Sequence, residues 1–184
     1  MTTRKILSLD LSIKNTGWCS AIVSPHLTKP TLDFGDVSFQ LKPKERKFLT
    51  PEQIQGEQLM RFARWFRASL LQNCPDEICL EKGFLNQNPS TEILLMIRGV
   101  VLLNARYRDI PVYSYATSSL KAYALVPGYN KRHKELPAAK KRAAIKQEMV
   151  EAMQLATGDY TSPISDDIAD SYHCLHLHLE RTAG

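Results

Sequence analysis

The sequence predicts a mixed α/β domain in which helices cover a central sheet. Three observations carry this. Apolar, strand-like segments open the chain at residues 4–10, 18–23 and 32–41, with turn residues between them. Shorter strand-like segments follow at 77–81 and 110–115, each preceded by a helical pattern. At 184 residues and 43% hydrophobic content, the chain suffices for one domain, 1–184, with its own core.

Each element has a local reason. Residues 4–10 alternate, with Ile6, Ser8 and Asp10 on one face and Leu7 and Leu9 on the other. The turn Ser12–Gly17 leads into the second strand, and Pro25 and Pro30 bracket the connection to the third. Residues 42–47 read as a solvated basic loop. Thr50 is placed to cap a helix, with Pro51 at its first position. Ile54, Leu59, Phe62, Phe66, Leu70 and Leu71 give that helix an apolar stripe. Cys74–Pro75 ends it. A helix over 90–107 is apolar on most sides, which suits a core element or one shared with a second subunit. Residues 117–125 read as a short helix, 126–130 as a loop, and 138–156 as a basic amphipathic helix. The last helix runs from Ser165, as N-cap, to about Arg181.

Composition narrows the function. A net charge of +5 and a pI near 9.0 suit a polyanionic partner. Cys19, Cys74, Cys79 and Cys174 form no C-x-x-C pair; they read as reduced, mostly buried thiols of a cytosolic protein, with a zinc site as the weaker alternative. Met1–Lys5 runs straight into a strand, leaving no room for a signal peptide. No apolar run approaches the roughly 18 residues of a membrane span, so a cytoplasmic protein is expected.

Against this basic background four carboxylates stand out. Asp10 ends the first strand, Glu81 ends the fourth, and Asp167 and Asp170 are three apart on one face of the last helix. Gathered in one cleft they would repel each other unless divalent cations sat among them. Three of them have a plainer reading, and Asp170 has less excuse. Asp10 could cap its turn through Asn15, Glu81 could pair with Lys82, and Asp167 could simply favour the helix dipole. Asp166 reads as a solvated first-turn charge. The chemistry that needs carboxylates in this arrangement is two-metal phosphoryl transfer. Two hard cations roughly 4 Å apart activate a water and stabilise the leaving alkoxide.

A basic stretch complements the acids. From Lys131 to Lys146 there are Lys131, Arg132, Lys134, Lys140, Lys141, Arg142 and Lys146, against Glu135 alone. Such density suits contact with phosphates, although a solvated helix face has the same composition. Arg46, Lys47, Arg61, Arg64 and Arg67 offer an extension of that footprint. His173 lies one helical turn past Asp170. A helix C-terminal cation is its simpler reading, a catalytic role the sharper one.

At this point a resemblance emerges. Ile6–Asp10 followed by Thr16-Gly17-Trp18, Leu80-Glu81-Lys82-Gly83-Phe84, Arg98-Gly99-Val100, Ile110–Tyr115 and Asp167–Tyr172 together resemble RuvC-type Holliday-junction resolvases of the ribonuclease H-like superfamily. The resemblance covers residues 4 to about 178 and rests on short motifs in a shared order. It implies a mixed five-stranded sheet, three antiparallel strands first and then two parallel, flanked by helices. It implies metal-binding acids at Asp10, Glu81, Asp167 and Asp170, and two Mg²⁺ per subunit with Mn²⁺ as a substitute. It also implies a homodimer, through helix 90–107, that cuts a four-way DNA junction to 5′-phosphate and 3′-hydroxyl ends. Lys121 and Lys140 or Lys141 match basic residues near the scissile phosphate, and Phe84 matches a residue that stacks at the crossover.

The chain departs from that pattern in two places. Asp10-Leu11-Ser12 replaces a glycine-rich Asp-Pro-Gly, and the segment 123–136 is longer, with one glycine. These suggest a divergent branch, viral or phage-borne. Three rivals remain: a related nuclease for RNA or other branched DNA, a non-catalytic junction-binding protein, and half of an actin-like ATPase.

Overall fold

A computed structural model describes residues 2–82, 89–125 and 129–183. Its centre is a five-stranded sheet of β1 (Arg4–Asp10), β2 (Thr16–Val23), β3 (Thr31–Val37), β4 (Glu77–Lys82) and β5 (Val112–Ala116), in the order β3-β2-β1-β4-β5. β1 pairs antiparallel with β2, and β2 with β3, while β1–β4 and β4–β5 are parallel. The three-then-two arrangement expected from the sequence is the one observed.

The helices are α1 (Pro43–Arg46), α2 (Pro51–Asn73), α3 (Pro89–Arg106), α4 (Thr117–Ala124), α5 (Tyr129–Arg132), α6 (Ala138–Thr157) and α7 (Asp166–Arg181). Alternation in the strands sorts them into two layers. Ile6, Cys19, Ala21, Cys79 and Tyr115 face a core shared with Leu120 of α4, Met149 and Met153 of α6, and Leu175 of α7. Leu7, Leu9, Ile78 and Leu80 face the other way, onto Phe62, Phe66 and Leu70 of α2 and Ile97 and Val101 of α3. Phe62, Phe66, Leu9 and Leu80 are fully buried, each worth about 1.5–3 kcal/mol against exposure.

The caps behave as their residues dictate. The Thr50 hydroxyl accepts from the Gln53 N–H at 3.3 Å, and the Gln53 side chain accepts from the Thr50 N–H at 2.9 Å. Ser165 accepts from the Ile168 N–H at 3.2 Å and starts α7. The chain differs from expectation in four places. β3 stops at Val37 because the Phe39 N–H donates to Ile13 O at 3.0 Å, drawing the chain back under the β1–β2 turn. There Phe39 and Leu41 are buried without being strand. The basic loop at 42–47 contains the short helix α1, and the loop at 126–130 gives way to α5 at Tyr129. Leu71 departs from the stripe of α2 and is 69% exposed.

No helix among the described residues is long and apolar enough to cross a membrane. All four cysteines are free thiols; Cys74 is exposed and the other three are buried.

Candidate metal centre

Parallel pairing of β1 with β4, with Leu9 opposite Leu80, brings the following residues, Asp10 and Glu81, side by side at the carboxyl ends of two central strands. Both lie on the face that carries Ile6 and Cys79, the face covered by α7. α7 arrives with its N-terminus at that end. It can come close because Gly17, paired with Asp10 across β1–β2, has no side chain. A Cβ there would lie 1.9 Å from Asp167 O and 2.8 Å from Ile168 N. Asp170 is thereby carried over the strand ends. Carboxylate oxygens of Asp10, Glu81 and Asp170 lie within 4.8 Å of one another.

Electrostatics mark this cluster as short of positive charge. Burial pushes the Asp10 carboxyl well above the usual range, and repulsion from Glu81, Asp170 and Asp167 adds to it. Asp170 is raised to about 7, first by burial and then by Glu81, with Lys121 and Lys146 pulling the other way. Three hard oxygen donors this close suit a hard divalent cation, whose charge would offset their repulsion.

The remaining predicted residues distribute unevenly. Asp167 lies outside the group of three; its carboxylate accepts from Asn15 Nδ2 at 2.9 Å. Asn15 Nδ2 also donates to Asp36 at 2.8 Å, and Ser165 Oγ donates to the same Asp36 oxygen at 2.8 Å. This network ties the β1–β2 turn and the end of β3 to the cap of α7. Asp166 is not simply solvated but ion-paired with Lys146 of α6. Lys121, on α4, acts electrostatically on Asp170. Lys146 acts on both Asp10 and Asp170, so it is the α6 lysine coupled to the acids. Lys140 and Lys141 sit in the first turn of α6, Lys140 exposed and Lys141 half-buried. Lys131, Lys134 and Arg142 are exposed, while Arg132 pairs with Glu148 at 2.7 Å. Phe84 lies outside the described residues.

His173 corrects an expectation. It is buried, hydrogen-bonded through Nε2 to Met149 O at 2.9 Å, and burial pushes its pKa down to about 4. It is a neutral contact between α7 and α6, not a helix-terminal cation. Conversely, two site neighbours escaped the sequence reading. Thr117, the first residue of α4, donates its hydroxyl to Glu81 Oε1. Asp36 organises the network that holds Asp167. Neither sits in a motif; only sheet register and helix placement bring them to the acids. On the outer side the cleft is walled by Leu11, Lys82, Leu94, Leu95 and Arg98.

Fold and site together define a ribonuclease H-like domain with a carboxylate cluster at the carboxyl ends of its central strands. Within that class the chain is similar in sequence, over part of its length, to RuvC-type resolvases. Over 113 residues it is 34% identical to the crossover junction endodeoxyribonuclease RuvC of Chlamydia trachomatis serovar L2, a match covering 60% of this chain and 59% of the relative. It is 36% identical over 111 residues to the RuvC of Aromatoleum aromaticum, covering 60% and 52%. The matches therefore span less than two thirds of these relatives' length. No protein-family profile matches the chain. The T. thermophilus RuvC solved in complex with a Holliday junction substrate shares the fold, with a TM-score of 0.66 at 17% identity over 96% of this chain and 95% of that one.

Proposed function

We propose that residues 1–184 form one nuclease domain that resolves four-way DNA junctions by phosphodiester hydrolysis, leaving 5′-phosphate and 3′-hydroxyl ends. The observation that carries this reading is the convergence of Asp10, Glu81 and Asp170 within 4.8 Å at the sheet end. The RuvC relatives, named crossover junction endodeoxyribonucleases, and the junction-bound structure of the same fold support the substrate. The proposed cofactor is Mg²⁺, two ions per subunit, with Mn²⁺ as a substitute.

In this reading Asp10, Glu81 and Asp170 hold the cations, and Asp167 completes the set from beside Asn15. Bound there, the cations supply a water activated for attack and charge for the leaving 3′ oxygen. The chain's own residues do the rest. Thr117 fixes one oxygen of Glu81 and so aims the other into the cleft. Lys121 and Lys146 bring positive charge to the acids. The same charge would offset that building up on the phosphate as it is attacked. Lys131, Lys134, Lys140, Lys141 and Arg142 lie along the flanking backbone, and Phe84 stacks at the crossover. Leu95, Met96, Leu102 and Leu103, exposed on α3, support a homodimer that presents two such sites to symmetrical strands. A cytoplasmic setting is part of the same proposal.

The test is Mg²⁺-dependent cleavage of a synthetic four-way junction beside linear duplex of the same sequence. Junction-selective cleavage is expected, abolished by Asp10→Asn with junction binding kept. Retained nicking by Asp10→Asn would overturn the assignment. Equal cleavage of duplex or RNA hybrids would favour a related nuclease of different substrate.

A further inference from the structure

Resting on the nuclease reading, we propose that residues 42–48 form a second DNA-contact arm, on the side of the sheet opposite α6. Lys42, Lys44 and Lys47 would lie along phosphates while Phe48 stacks on an unpaired base. The segment Lys42-Pro43-Lys44-Glu45-Arg46-Lys47-Phe48 is exposed throughout. Phe48 is 86% exposed, more than any other large hydrophobic side chain among the described residues, and the Lys47 ammonium lies 5.4 Å from its ring centre. Fully presented aromatic faces flanked by cations are how proteins hold single strands: phosphates neutralised, a base on the ring.

The arm is built rather than loose. Leu41 at its root is buried, and the Arg46 guanidinium donates to Leu41 O at 2.8 Å. Glu45 accepts from the Lys42 N–H at 2.6 Å and is ion-paired with Arg61 of α2 at 2.7 Å. Arg61, itself shared with Glu57 at 3.0 Å, thus absorbs the arm's one acid. No acid is ion-paired with Lys42, Lys44 or Lys47 among the described residues.

Position links the arm to the acids. Leu11 and Leu94 wall the cleft over Asp10 and Glu81, and the same two residues wall a second groove with Lys14 and Gln40. Gln40 lies two residues before Lys42, so a strand leaving the acids along this track meets Lys14 and then the arm. α6 lies over the opposite face of the sheet, with α7. The catalytic edge is therefore flanked by cations on both sides, as a branched substrate straddling it requires.

The measurement is fluorescence anisotropy of a labelled four-way junction in metal-free buffer, where cleavage does not intrude, across a salt series. Phe48→Ala is expected to weaken binding about tenfold with an unchanged salt slope, and Phe48→Tyr to restore it. Lys44→Ala/Lys47→Ala is expected to lower the slope of log Kd against log salt by about 1–2. A 2-aminopurine base next to the crossover should lose fluorescence on binding the parent and not Phe48→Ala. Binding by both variants within twofold of the parent would overturn the arm and leave the nuclease reading intact. Failure of the parent to bind the junction at all would overturn both. Unchanged melting temperatures establish that the variants fold.

Discussion

Placing a methyl group at Gly17 tests how α7 is seated. The alanine Cβ would lie 1.9 Å from Asp167 O, 2.2 Å from Asp167 C and 2.8 Å from Ile168 N. Ordinary contact begins at 3.4 Å, so the first turn of α7 must retreat by about 1.5 Å. All three atoms are backbone, so no side-chain rotation relieves the clash. Overpacking of this kind costs about 1–3 kcal/mol. For a chain of this size that is a fall in Tm of roughly 2–4 °C per kcal/mol. The functional loss should be larger in proportion, because the displaced turn carries Asp167 and the next carries Asp170. A misplacement near 1 Å can cost about a hundredfold in rate. The assay pairs thermal melting with single-turnover junction cleavage, using Gly56→Ala as the control. Gly56 lies within α2, where an added Cβ meets nothing within 4 Å, so alanine there should stabilise by up to about 1 kcal/mol. Gly17→Ala with parental Tm and parental cleavage would refute the seating of α7 against β2.

Two further outcomes follow from the site. Thr117→Val removes the hydroxyl that holds Glu81; it should reduce Mn²⁺ affinity severalfold by calorimetry, cost about 1 kcal/mol or less in stability, and be rescued by Thr117→Ser. Asp170 has a folded pKa raised to about 7 above an ordinary 3.8, so the folded state binds more protons than the unfolded one between those values. In metal-free buffer its contribution therefore falls as pH rises through that window. His173, lowered to about 4, contributes oppositely, with stability lost as pH falls below about 6.5. The clean readout is accordingly the Tm increase on adding Mn²⁺ at each pH. It should be larger at pH 8 than at pH 5, where protons compete for the carboxylates; a rise independent of pH would contradict the cluster's role.

Much of the fold was legible because its signals are local. The alternation of Ile6, Ser8 and Asp10 against Leu7 and Leu9 fixed which side of the sheet Asp10 takes. Pro51 after Thr50, and Ser165 before two aspartates, marked two helix starts. The acids at strand ends were legible for the same reason, since neighbouring parallel strands deliver their ends together. What escaped depends on distant juxtaposition. Spacing alone put Asp167 and Asp170 on one face, but it could not show the Asn15–Asp36 network, more than a hundred residues away, that holds the Asp167 carboxylate. Helical position made His173 resemble a terminal cation, whereas α6 lies across it and excludes water. Lys146 looked like one of several phosphate contacts until the crossing of α6 and α7 set it beside Asp166 and the cluster.

The claim beneath all of this is that three carboxylates from β1, β4 and α7 share a divalent cation. Anomalous diffraction from crystals soaked in Mn²⁺ addresses it without reference to turnover. A peak bonded by Asp10, Glu81 and Asp170 oxygens at about 2.0–2.4 Å, lost in Asp10→Asn, is the expected result. An empty cluster at Mn²⁺ concentrations that support junction cleavage would contradict the account.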